Sequence, residues 1–109
     1  MTDRELLELA AKAAEIKGEY REVFNGFVVD TAPFRDFVVW RPHTDDGDAL
    51  RLAVKLRLVV DINDECGDIW VRQPWNPYCE ISVAMDDDPY ASTRRAIVRA
   101  AAEIGRGME

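Results

Sequence analysis

The sequence has few of the residues that carry most enzyme chemistry. It contains one histidine, His43, and two serines, Ser82 and Ser92, each within a predicted regular element. A serine–histidine–acid triad therefore has no suitable nucleophile. There is no glycine-rich dinucleotide fingerprint and no phosphate loop, so the sequence predicts no standard nucleotide site and no cofactor. We expect a protein that is not an enzyme.

Cysteines and long apolar runs are also scarce. Cys66 and Cys79 are too few and too widely spaced for a disulfide framework or a zinc site, which fits a reducing cytoplasm. We expect a free thiol in a loop at Cys66 and a buried thiol at Cys79. No apolar run approaches the roughly 20 residues of a membrane-spanning helix. Acidic residues among the leucines of MTDRELLELAAK are atypical of a signal peptide.

The overall composition is typical of one small globular domain spanning residues 1–109. Apolar residues make up 48% and charged residues 32% of the chain, a balance that allows a packed core. The 21 acidic and 14 basic residues give a net charge of −7. This charge opposes general binding of polyanions. We therefore expect a protein partner, and neither nucleic acid nor a membrane.

Two segments near the chain ends have the apolar period of amphipathic helices. Residues 2–16 begin at Thr2 or Asp3 as the cap, and Gly18 is placed to end the helix. Residues 88–105 begin at Asp88 with Pro89 in the first helical position. Both helices are expected to bury one face. The arginines of the last helix read as a solvated basic face: Arg94, Arg95, Arg99 and Arg106.

A third helix is predicted over residues 44–58, with Thr44 as its N-cap and acidic residues in its first turn. Its polar stripe is thin, because most positions between Ala49 and Leu56 are apolar. A helix this apolar is expected to be covered on more than one side.

Elsewhere the apolar period changes from 3.6 to 2. Asn25-Gly26 predicts a two-residue type I′ turn that pairs Phe24 with Phe27. Pro33 would break the ladder after this hairpin. Further strands are predicted over residues 36–40, 58–62, 69–73 and 78–85. The fold class is therefore α+β, with three helices on a mainly antiparallel sheet of about four to six strands.

Two acidic runs raise the question of a metal ion. Asp61, Asn63 and Glu65 alternate as in a calcium loop. However, Gly67 is one position later than the glycine of that loop, and Arg72 occupies the twelfth position, where the loop has glutamate. Residues 86–88 are three aspartates that lead directly into a helix, where capping and the helix dipole explain them. We expect no metal site at either run.

Two surfaces are candidates for binding. The first is the segment from Trp40 to Asp48, because loops before helices commonly carry binding residues and the acids exceed what one cap requires. The second surrounds the turn Pro74-Trp75-Asn76-Pro77, because aromatic side chains at a sheet end are enriched in interfaces and ligand pockets. The candidate residues are Trp40, Arg41, His43, Asp45, Asp46 and Asp48 in the first, and Trp70, Trp75, Asn76 and Tyr78 in the second.

Three segments resemble the phage ABA-sandwich domain family, small proteins of tailed bacteriophages and prophages. They are the opening MTDRELLELAAKAA, WRPHTDDGDALRLAVKL from Trp40 to Leu56, and DPYASTRRAIVRAAAEIG from Asp88 to Gly105, about half the chain together. Where the family pattern has Trp-Asn-Pro-Leu, this chain has Trp-Arg-Pro-His at 40–43. The resemblance implies α-β-α layers, a phage gene and a bacterial host cytoplasm. It implies no activity for any residue.

Three functional hypotheses follow, and the third is an enzyme that uses Asp45, Asp46 or Asp48. The first is a non-catalytic phage accessory protein that binds a host or phage macromolecule, for example in anti-defence or host takeover. The alternative is a protein that binds or sequesters a nucleotide-like small ligand, with Arg41, His43 and Trp75 as contacts. A flat apolar or acidic patch favours the first, and a deep pocket lined by aromatic residues and arginine favours the second.

Overall fold

A computed structural model describes residues 1–29, 38–63, 65 and 67–108, and residue 63 by its backbone alone. The fold is α+β, as the sequence predicts. In chain order the elements are α1 (Asp3–Ala14), β1 (Gly18–Arg21), a short 3₁₀ helix (Glu22–Phe24), β2 (Gly26–Val29), β3 (Val38–Trp40), α2 (Asp46–Lys55), β4 (Val59–Asn63), β5 (Asp68–Arg72), β6 (Glu80–Ala84) and α3 (Pro89–Arg106). The predictions for Pro33, for Cys66 and for the start of the strand at residue 36 lie outside the described residues.

The described strands form two antiparallel three-stranded sheets, β1-β2-β3 and β4-β5-β6. The expectation of one sheet of about four to six strands is therefore wrong for this part of the chain. The division falls at α2, which connects β3 to β4. Each sheet keeps the antiparallel pairing that the short loops and the two-residue period indicate.

The predicted starts of α1 and α3 are confirmed. The Thr2 hydroxyl accepts the backbone N–H of Glu5, and Asp88 accepts the N–H groups of Tyr90 and Ala91 ahead of α3. The end of α1 was placed wrongly at Gly18. Glu15 ends the helix in a left-handed conformation (φ 59°), and Gly18 begins β1 instead.

The N-cap of α2 is Asp45 rather than Thr44. Asp45 Oδ2 accepts the Asp48 N–H at 2.8 Å, whereas the N–H groups of Thr44 and Asp45 bond to the carbonyl of Arg41 in the preceding turn. The helix is therefore shorter than predicted, at Asp46–Lys55. It is also covered on one side only: Leu52 and the neighbouring Ala49, Ala53 and Leu56 are buried, while Leu50 and Val54 are exposed.

The hairpin at Asn25-Gly26 forms in a different register from the prediction. Tyr20, not Phe24, pairs with Phe27, because the 3₁₀ helix lengthens the connection. Asn25 has a positive φ of 48°, but Gly26 does not. Gly26 is required for another reason: a Cβ there would lie 2.4 Å from Arg41 Cγ and 2.7 Å from Val39 Cγ1. In this register Tyr20, Phe27 and Val29 lie on one face and pack against the core, whereas Phe24 is exposed.

Helix α3 occupies the centre of the core. It packs against α1, α2, β5 and β6, and α1 in turn contacts β1 and β2. The main contacts thus run in the order first sheet, α1, α3, second sheet. The two helices cross closely at Gly105, where a Cβ would lie 1.9 Å from the Leu9 carbonyl oxygen. The alanine-rich faces of both helices make this approach possible.

Candidate functional site

The segment Trp40–Asp48, here called the junction, connects β3 to α2 as predicted. Two of its residues are buried and contribute to the core. Trp40 is 7% exposed and packs edge-on against Phe27, with ring centroids 6.1 Å apart and an interplanar angle of 84°. Pro42 is fully buried. Trp40 therefore belongs to the core rather than to an exposed binding surface.

The junction aspartates are bonded within the chain. Asp48 accepts the backbone N–H of Arg41 at 2.9 Å on one oxygen and the Arg51 guanidinium at 2.7 Å on the other. This second bond, together with the charges of Asp48 and Asp45, raises the pKa of Arg51. The side chain of Asp45 caps α2 by accepting the Asp48 N–H. More than one acid is needed here because each has a separate structural partner.

Arg94 of α3 holds the junction against the last helix. Its Nε donates to the carbonyl oxygen of His43 at 3.2 Å, and its Nη1 donates to Asp46 Oδ1 at 2.5 Å. Arg94 was predicted on a solvated basic face, and this is wrong because its guanidinium bridges two elements and is largely buried. The bridge links the N-terminal ends of α2 and α3.

The ring of His43, a junction residue, lies beside Asn25 at the end of the 3₁₀ helix. Its Nε2 is 3.5 Å from Asn25 Oδ1, while Nδ1 is buried without a hydrogen-bond partner among the described residues. Burial lowers the pKa of His43, Asp3 acts in the opposite direction, and the Arg41 charge lowers it further. The folded protein thus favours the neutral imidazole.

Trp70, Trp75 and Tyr78 lie on the β5–β6 hairpin and are here called the aromatic hairpin. Trp70 is in the middle of β5, paired with Asp61 and Ser82, and points away from the buried Ile69 and Val71. The exposed fractions are 39% for Trp70, 63% for Trp75 and 87% for Tyr78. Trp70 is therefore out of phase with the core residues of its own strand.

Asn76 has a structural role in the loop that presents these aromatics. Its side-chain amide donates to Gln73 Oε1 at 3.1 Å, and its Oδ1 accepts the Tyr78 N–H at 3.1 Å. Gln73, itself buried, donates to the Leu56 carbonyl at the end of α2 at 3.0 Å. This chain of bonds fixes the turn to the body of the protein, so Trp75 and Tyr78 are held on an ordered loop.

Two open cavities lie next to the residues of the aromatic hairpin. A cavity of about 280 Å³ lies beside Trp70 on the outer face of the second sheet. Another of about 350 Å³ lies beneath the loop, beside Pro74 and Pro77. Arg72 and Glu80 line both cavities, so they join the outer sheet face to the loop.

The junction and the aromatic hairpin are separate surfaces. Arg41 lies at the N-terminal end of α2, whereas the Gln73 bond to Leu56 places the loop at its C-terminal end. Ten helical residues between them correspond to about 15 Å. The contacts proposed for a small ligand, Arg41, His43 and Trp75, are therefore not brought into one pocket.

Sequence reasoning missed an apolar groove between α2, α3 and β4, here called the α2–β4 groove. It has a volume of about 390 Å³, with Ala49, Ala53 and Ile97 among its lining residues. Large exposed side chains line or flank it: Leu50, Val54, Ile62 and Tyr90. The signal was present in the apolar positions of α2, but it was interpreted as a helix covered on more than one side.

The acidic run before α3 has a structural arrangement. Asp86 accepts the Asp88 N–H at 3.0 Å and the Ser92 hydroxyl at 2.9 Å, and these bonds lower the pKa of Asp86. Cys79 is buried as predicted, and burial raises the pKa of its thiol. No group of three or more His, Cys, Asp or Glu side chains within the described ranges could hold a metal ion.

Comparison with known proteins adds no assignment: no family model, curated protein or solved structure matches this chain. In the part of the chain that the structure describes, no helix has both the length and the apolar character needed to cross a membrane.

Proposed function

We propose that this protein is a non-catalytic accessory protein that binds another protein through the aromatic hairpin. One observation carries the proposal: two tryptophans and a tyrosine are exposed on a single well-bonded hairpin. Tryptophan and tyrosine dominate the binding energy of protein interfaces because they bury large areas at low entropic cost.

The surroundings of the aromatic residues support a protein ligand. Arg72 and Glu80, which are cross-strand partners, place both charge signs beside Trp70. The cavities are open rather than enclosed, so they suit side chains of a partner better than a small molecule that must be largely surrounded. The order imposed by Asn76 and Gln73 reduces the entropy lost on binding.

The biological setting is proposed from the sequence resemblance. The three segments similar to the phage ABA-sandwich family, together with the α+β class, support a phage or prophage protein acting in the bacterial host cytoplasm. The α-β-α layering of that family remains a prediction. The main contacts run from the first sheet to α1, then to α3 and then to the second sheet, and this arrangement does not by itself support the layering. Anti-defence or host takeover are the roles that we propose for such binding.

The alternative, sequestration of a nucleotide-like ligand, has less support because Arg41 and His43 lie at the other end of α2 from Trp75. Native mass spectrometry of the purified protein distinguishes the two. We expect masses that the protein accounts for without a bound small molecule, and a stoichiometric small molecule would favour the alternative.

Pull-downs with three matched baits test the protein-binding proposal. We would compare wild type, the double variant Trp75→Ala/Tyr78→Ala and the control Val23→Ala in quantitative pull-downs from host lysate. Val23 is 82% exposed but belongs to the 3₁₀ segment beside the first sheet. We expect a specific protein with wild type and control, and at least a tenfold loss with the double variant. Equal capture by all three baits would contradict the aromatic hairpin as the binding surface.

A further inference from the structure

The α2–β4 groove exposes more apolar surface than the fold of one copy requires. Leu50 and Val54 are 64% and 69% exposed and follow one another at i and i+4 on α2. Ile62 and Tyr90 are more than half exposed on the opposite wall. An apolar patch of this kind, rimmed by charges, marks an interaction site.

Charges of opposite sign lie at the two ends of the groove. The Arg94–Asp46 bond brings the N-terminal ends of α2 and α3 together, and Asp87 and Asp88 directly precede α3 there. Arg57 lies at the other end, where α2 leads into β4. Among the described residues, Asp87 and Arg57 make no ion pair, whereas Asp46 and Asp86 are paired with arginines and Asp88 caps α3.

This pattern is complementary to itself. When two copies of α2 run antiparallel across a two-fold axis, the acidic end of each groove meets the basic end of the other. Such an interface is isologous, so both charge contacts form twice while the apolar residues meet at the centre. A helix of a different protein would have to supply the matching charge order independently, whereas a second copy supplies it by symmetry.

We propose that the α2–β4 groove binds a second copy of this chain, with the two α2 helices antiparallel. Trp70 stays accessible in this dimer, because it pairs with Asp61 and points to the other face of the second sheet from Val60 and Ile62. Among the described residues, only four large exposed apolar side chains line or flank the groove, so we assign the dimer to the weak, concentration-dependent class.

Sedimentation velocity over a concentration series up to about 1 mM tests the dimer. We expect the mass to rise from 12.4 kDa towards twice that value. Leu50→Asp and, as a second disruption, Val54→Glu should lower dimerisation at least tenfold, since both place charge in the apolar centre. Val23→Asp, an equally exposed change beside the first sheet, should leave it unchanged, and circular dichroism confirms that each variant is folded. A wild-type mass of 12.4 kDa at every concentration overturns the proposal and leaves the groove to a different protein.

The antiparallel order has its own test. Arg57→Glu and Asp87→Lys, each alone, should weaken self-association because both ends become repulsive. Mixed in equal amounts, the two variants should associate at least as well as wild type, since opposite charges then meet at both ends. If Leu50→Asp abolishes the dimer but the mixture does not restore association, the antiparallel arrangement is wrong. The readout is independent of the aromatic hairpin, so it does not depend on the proposed function.

Discussion

The junction and the aromatic hairpin carry similar residues and use them differently. Both combine a tryptophan, a proline and polar side chains between regular elements. At the junction Trp40 is buried, and Asp45, Asp46 and Asp48 bond to groups of the chain. On the aromatic hairpin the large side chains lie at the surface.

The difference shows where binding residues are to be sought in a small domain. A polar or aromatic side chain with a partner inside the fold already contributes to stability, and changing it affects binding through loss of structure. Trp75 and Tyr78 are exposed while the turn beneath them is held by Asn76 and Gln73. Changes to these two side chains should therefore separate binding from folding.

The largest expected effect on stability is at Trp40, and Trp75 is its counterpart on the aromatic hairpin. Trp40→Ala should lower the free energy of unfolding by about 3–5 kcal/mol, because it empties a buried site against Phe27. Trp75→Ala should change it by less than about 0.5 kcal/mol, as expected for an exposed side chain. Urea denaturation of both variants measures this. Equal destabilisation would remove the distinction between the two regions.

A smaller effect is expected at the junction aspartates. Asp48→Ala should cost about 1–2 kcal/mol, since Arg41 N–H and Arg51 lose their acceptor. Asp61→Ala, an exposed acid on the outer sheet face, is the matched control and should stay within about 0.5 kcal/mol. Chemical denaturation at fixed pH compares them. An Asp48→Ala protein as stable as the control would return the junction acids to the candidates for binding.

Asn76 sharpens the comparison from within the hairpin. Asn76→Ala should cost about 1 kcal/mol, because the Tyr78 N–H and Gln73 lose their partner. Partner capture should weaken together with loop order, which amide hydrogen exchange at residues 73–79 reports. Normal exchange protection combined with lost capture would instead make Asn76 a direct contact.

The smallest effect is a pH dependence at His43. Its pKa is lowered in the folded state by burial, so its contribution to stability is complete above the ordinary histidine pKa of about 6.5. That contribution is lost as pH falls from there towards the folded-state pKa. We expect the free energy of unfolding to be lower at pH 5.5 than at pH 7.5, and His43→Gln to reduce the difference. The same pH dependence in His43→Gln would assign it to other groups.

Local signals in the sequence were reliable where one residue decides the structure. The caps at Thr2 and Asp88 and the burial of Ile69 and Val71 follow from position and period alone. The N-cap of α2 was misplaced by one residue because Thr44 and Asp45 are both good caps, and the Arg41 carbonyl already engages the Thr44 N–H. The division into two sheets depends on long-range packing that strand patterns do not contain.

Only part of the candidate site could be predicted from the sequence. Aromatic residues in and beside the turn Pro74-Trp75-Asn76-Pro77 indicated the hairpin, because its prolines prevent the strand pairing from continuing there. The structural role of the junction depends on Arg94, which is 48 residues from its partner Asp46. Leu50 and Val54 could not be recognised as exposed, since apolar residues on a helix look the same whether another element covers them or not.

Fluorine NMR of the protein labelled with 5-fluorotryptophan tests the central claim most directly, because the three tryptophans report on both regions. In the free protein a soluble nitroxide should broaden Trp75 and Trp70 and leave Trp40 sharp. The partner recovered with the wild-type bait should then protect Trp75 and Trp70 while Trp40 stays unchanged. Broadening of Trp40 in the free protein, or a Trp75 signal equally accessible in the complex, would contradict the account.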